Sequence, residues 1–197
     1  MKTPPYRYES IDVASEYDSV LINRDSGAEI VARIGDLEQG SFLLANFEGV
    51  ERVGVGFLKA AFEGVDSHIR RFREEASLVA LTNTSPQVEA EIMHVLSGEN
   101  SPLAGIASAH EGSFKLITPY LAIEDTFDAA KLQSAEHGSF SAAALAEKLE
   151  VDYRNILGRL KVLHKTGAIT CWESDRVKFG PYRYRTVIDA DLVAERA

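Results

Sequence analysis

Apolar positions recur along this chain with two different periods. Between 141 and 169 the period is helical. In SAAALAEKLEVDYRNILGRLKVLHKTGAI, Ala144, Leu145 and Leu149 share one face, and Ile156, Leu157, Leu160 and Leu163 form a second stripe spaced for burial. Glu150 and Val151 break the first stripe, so two helices joined by a tight turn are predicted. Asp152 stands where an N-cap belongs. Its carboxylate can accept from free N–H groups of the next turn and complement the helix dipole. Gly167 follows the last periodic position, where a helix commonly ends on a residue of positive φ. The run AITCW at 168–172 is short and apolar, as strands are.

Upstream, apolar runs of strand length alternate with helical stretches. Residues 20–22 and FLLANF at 42–47 are strand candidates, the second preceded by a turn at Gly40 and Ser41. RDSGAEIVARI at 24–34 is predicted helical, with Asp25 or Ser26 near its cap. Gly54 and Gly56 make a loop before a helix starting at 57–62, which Gly64 is placed to interrupt. SLVAL at 77–81 reads as a strand. Pro86 opens a helix through Leu96, with Val88, Ile92, and Val95 or Leu96 inward. Between 98 and 125, Asn100, Pro102, Gly105 and Gly112 read as a connecting loop, with a short strand at 114–117 and an apolar stretch at 120–123. Residues 127–135 read as a helix packing Phe127, Ala130 and Leu132 or Ala135. The first 18 residues, with Pro4 and Pro5, read as a loose start that holds at most an edge strand.

This order predicts an α/β domain at 19–97 and a small α+β domain at 126–197, joined by 98–125 and preceded by an extension at 1–18. Two resemblances sharpen the expectation. Leu145, Ala146, Glu147, Leu149, Val151, Asp152, Leu160, Leu163, Gly167 and Ile169 match the pattern of the winged helix-turn-helix family, against the plainer reading of an ordinary helical hairpin. Arg24, FEGVERVGVGFLKAAF at 47–62 and SLVALTNTSPQVEAEIMHVL at 77–96 resemble the STAS-like family of unknown function, a relative of the anti-sigma-factor antagonist fold. In that family an aspartate ends the strand and a serine opens the helix. Asn46 and Gly56 stand in those places here. True antagonists switch partners when that serine is phosphorylated. Gly54, Val55 and Gly56 carry no hydroxyl, so no phosphoswitch is expected at this spot.

Charge changes the picture in one respect. The net charge of −9 over 197 residues argues against a generic nucleic-acid coat. It is unevenly spread: residues 137–197 hold ten Lys and Arg against eight Asp and Glu, and the rest holds 11 against 22. A mildly basic carboxyl-terminal part joined to a strongly acidic part suits a DNA reader attached to an interaction or sensing domain. With 45% apolar residues both parts can bury a core. No apolar run approaches the roughly 18 residues of a membrane span, and MKTPPYRYES has no apolar segment of signal-peptide type, so an intracellular, cytoplasmic protein is expected. The single cysteine, Cys171, is read as a small buried side chain rather than a reactive thiol.

On the second helix of the motif, Arg154, Asn155, Gly158, Val162 and Lys165 are expected to point away from the core, with Arg159 and Lys161 on the flanks. In a winged helix this face enters the major groove. Arg154 can chelate guanine and Asn155 can pair with adenine. Lys161 and Lys165 suit phosphates, and Tyr153 can touch the backbone at the helix start. Gly158 either admits a close partner or is a tolerated accident. Arg176, Lys178, Arg183 and Arg185 follow in a wing-like stretch, with Glu173 and Asp175 at its tip. The plainer alternative for all these charges is a solvated surface.

Other chemistry is thin. The glycines at 54 and 56 lack the third glycine of a dinucleotide loop, since position 59 is Lys59. His68, His94, His110, His137 and His164 are scattered, with no metal-ligand spacing to Cys171. No nucleophile and base fall together, so no enzymatic activity, cofactor or metal is expected. The reading is a prokaryotic DNA-binding transcriptional regulator. Its expected partners are double-stranded DNA, a second copy of the chain in a homodimer, and a protein at the STAS-like domain, with no membrane. The alternative is a partner-switching adaptor whose winged helix binds protein.

Overall fold

A computed structural model of the chain describes residues 7–38, 41–71, 78–110, 113–173 and 182–187. Its elements run β1 (Arg7–Asp12), α1 (Val13–Glu16), β2 (Val20–Leu21), α2 (Arg24–Gly35), β3 (Ser41–Asn46), β4 (Arg52–Val53), α3 (Val55–Arg71), β5 (Leu78–Thr82) and α4 (Pro86–Leu96). Then follow β6 (Ile106–His110), β7 (Ser113–Ile117), α5 (Leu121–His137), α6 (Ala142–Leu149), α7 (Tyr153–Lys165), β8 (Ile169–Glu173) and β9 (Tyr182–Thr186). The fold is mixed α/β, with a mostly parallel sheet. Among the described residues no helix is long and apolar enough to cross a membrane.

Five strands form the main sheet in the order β1-β3-β5-β6-β7. All pairs are parallel except the final β6–β7 hairpin. The order advances in one direction, and right-handed crossovers therefore put the connecting helices on one side. Ile30 and Ile34 of α2, Phe57, Leu58 and Phe62 of α3, and Val88 and Ile92 of α4 are buried there against Leu43, Ala45, Val79 and Leu81. The alternate strand residues face the other way. Phe42, Leu78, Ala80, Ala107, Phe114 and Leu116 belong to a second buried cluster with Ile123 and Phe127 of α5, and α5 links them to Leu145, Ile156, Leu160 and Leu163 of α6 and α7. Both faces of the sheet are covered, which is why FLLANF and SLVAL are apolar at nearly every position instead of alternating.

The carboxyl-terminal elements thus share a core with the sheet. The expected separation into 19–97 and 126–197 differs from this in three places. β1 lies in the segment read as an extension, and β6 and β7 lie in the segment read as a connection, yet all three are strands of the main sheet. β6 (IASAH) escapes notice because its central residues are small. Ala107, Ser108 and Ala109 are all buried, and small side chains suit a strand with layers close on both sides. α5 starts at Leu121 rather than at 127, absorbing the apolar stretch 120–123 into one helix of 17 residues.

Gly64 does not interrupt α3. A Cβ there would lie 2.8 Å from Val31 Cγ2, so the glycine lets α2 and α3 approach closely. Gly27 does the same from α2, where a Cβ would meet Phe57 O at 2.8 Å. The last elements form a compact arrangement. α5 leads to Phe140, which bridges to Tyr184 of β9 and stacks on its ring at 5.9 Å between centroids. Then come α6, a turn, α7, and the antiparallel pair β8–β9.

Two outcomes follow from this packing. Gly64→Leu is expected to destabilise the protein by about 2 kcal/mol, the range for overpacking a close helix contact, measured by urea unfolding. His68 is buried, and that burial, with Arg71 adding to it, lowers its pKa from 6.5. The folded state then favours the neutral imidazole. The stability involved is present above the ordinary value and lost as pH falls through the lowered one. Below pH 6.5 the unfolding midpoint should fall more steeply than in a His68→Phe variant.

Candidate nucleic-acid interface

The site is built on α7 and starts with its cap. Asp152 Oδ1 accepts from Arg154 N at 2.8 Å, as the sequence suggests. The turn before it is tight: Glu150 takes a left-handed conformation (φ 53°, ψ 38°), and Val151 N donates to Ala146 O at 3.0 Å. α6 carries its own cap, with Ser141 Oγ accepting from Ala144 N. At the far end Gly167 has φ +75°, the positive value expected of it.

α7 is seated by three residues. Ile156, Leu160 and Leu163 are fully buried, each stabilising the seat by roughly 1.5–3 kcal/mol through burial. Leu157 and Val162 are half-buried and pack on the same core. Val162 was expected to point outward; it is instead partly covered by the cluster that α7 shares with α5, α6 and β8. Arg159 also turns inward. Its Nη1 donates to the buried Thr126 Oγ1 at 3.3 Å, tying α7 to α5.

The opposite side is open. Tyr153, Arg154, Asn155, Gly158, Lys161 and Lys165 are exposed. Arg154, Gly158, Lys161 and Lys165 are spaced by four, three and four residues, so they lie in one stripe. The stripe is about 16 Å long from the helical rise per residue. Among the described residues, no carboxylate is within ion-pairing distance of Arg154, Lys161 or Lys165. The nearby Lys148 and His137, by contrast, both lie beside Glu136, at 3.9 and 3.7 Å.

The wing-like stretch is only partly described. Arg176 and Lys178 lie outside the described residues. Arg183 is half-buried on β9 and donates from Nε and Nη2 to Ser139 Oγ and from Nη2 to Ser139 O. It fastens β9 to the segment before α6, so its guanidinium is occupied within the chain. Ser139 lies 44 residues away, and no local pattern in the sequence shows the pairing. Cys171 is half-buried on β8, and burial pushes its thiol pKa up against a smaller opposing hydrogen bond from Tyr184. A raised pKa disfavours the reactive thiolate.

No match to this chain comes from family models, curated proteins or solved structures. Among the described residues no group of three or more His, Cys, Asp or Glu side chains could hold a metal ion. Gly56, expected in a loop, lies in the first turn of α3, where a Cβ would be 3.3 Å from Ile22 O. At the end of β3, Asn46 Oδ1 accepts from Glu48 N and from Asn83 Nδ2, bridging two strand ends.

Removing the cap tests how the site is held. Asp152→Ala should lower stability by about 1 kcal/mol, and Asp152→Ser should restore most of it, measured by thermal unfolding.

Proposed function

We propose that this chain is a cytoplasmic DNA-binding transcriptional regulator. In this reading its carboxyl-terminal part is a winged helix-turn-helix, and its amino-terminal part is a STAS-like domain that assembles or senses. The observation that carries the reading is the exposed cationic stripe of α7. Arg154, Lys161 and Lys165 are without carboxylate partners among the described residues, although the helix beneath them is firmly seated. The order of elements supports it too: helix, single bridge at Phe140, helix, turn, helix, hairpin.

The roles divide by position on α7. Arg154 and Asn155, at the helix start, reach base edges, and Tyr153 beside them touches the backbone. Lys161 and Lys165, further along, neutralise phosphates and set affinity more than sequence choice. Arg159 and Arg183 act differently: they hold α7 and β9 in place from within. One winged helix reads a short site, so two copies would bind as a homodimer on a two-fold repeat. The acidic remainder of the chain would weaken attachment to arbitrary sequence.

Selection from a random duplex library, followed by titration at several salt concentrations, tests this. The chain should enrich a defined site. Lys165→Ala should weaken binding to all duplexes alike and reduce the salt slope by about one. Failure to enrich any duplex, with a protein recovered instead on pull-down, would favour the adaptor and overturn this function.

A further inference from the structure

Among the described residues nothing requires Gly158 to be glycine. It sits inside α7, where glycine costs about 1 kcal/mol against alanine. Its backbone is ordinary helix, since it is not among the residues with positive φ. Among the described residues a Cβ built on it meets nothing within 4 Å. Gly27 and Gly64 differ, because each has a neighbour from the facing helix within 3 Å of such a Cβ. Gly158 also lies within the cationic stripe, with Arg154 one turn before it and Lys161 three residues after. The helix therefore carries a notch, bare of side chain, between two cations.

We infer that this notch is the point of closest approach between α7 and duplex DNA, receiving the edge of a base pair while the flanking cations hold the strands. The inference rests on the proposed function and deepens it by assigning a residue to site selection. A bare backbone lets the helix sit deeper in the groove than a methyl would allow. Deep seating matters when base edges are read and little when only phosphates are touched. Gly158 then contributes to specificity, and Lys161 and Lys165 to general affinity.

The test uses the full chain, a duplex that it enriches from a random library, and a scrambled duplex of the same length. Gly158→Ala should melt at a higher temperature than the parent. It should bind the enriched duplex about tenfold more weakly, the size of a modest overpacking penalty. Binding to the scrambled duplex and the salt slope should not change. Gly158→Leu should lose more affinity for the enriched duplex while leaving scrambled binding in place, which guards against a folding defect. Enrichment by the parent with undiminished binding by Gly158→Ala would overturn the inference and leave the DNA reading standing. Failure of the parent to enrich any duplex would overturn both.

Discussion

The structure depends on burying both faces of one sheet. β3, β5 and β6 send alternate residues to two cores, one under α2, α3 and α4 and the other continuing through α5 into α6 and α7. Neither face can be left open, because Phe42, Leu78, Phe114 and Leu116 would meet water on one side and Leu43, Val79 and Leu81 on the other. Apolar area on this scale dominates folding energetics. α5 lies against the second face at β7, and α6 and α7 pack on α5 and on each other, so α7 takes its orientation through α5.

This arrangement explains the two sides of α7. The inner side is fixed by full burial of Ile156, Leu160 and Leu163, with Arg159 adding a hydrogen bond to Thr126. Among the described residues the outer side has few partners: its cations have no carboxylate partners and its glycine has no packing neighbour. A rigid seat beneath an unengaged polar surface is what a recognition element requires, since ordering costs are met by folding rather than by binding.

Local elements were legible in the sequence to the degree that their signals were local. The Asp152 cap, the positive φ of Gly167, the helix Pro86–Leu96 and, to within a residue, the strands Ser41–Asn46 and Leu78–Thr82 follow from residue type and spacing. What escaped depends on distant partners. The stripe on α7 looks alike whether its core is private or joined through α5 to a sheet. The unbroken apolarity of β3 and β5 was the available sign of two buried faces. β6 was hidden because small residues carry little strand signal. At the site, spacing could place Arg154, Gly158, Lys161 and Lys165 in one stripe. It could not tell flanking Arg159 from its exposed neighbours, nor find Ser139 as the partner of Arg183.

The shared core is tested most directly by differential scanning calorimetry of the full chain. One transition is expected, with calorimetric and van't Hoff enthalpies in agreement, because the two halves cannot unfold separately without exposing a face of the sheet. Two resolved transitions, one of them reproduced by a fragment spanning 119–197 alone, would contradict it.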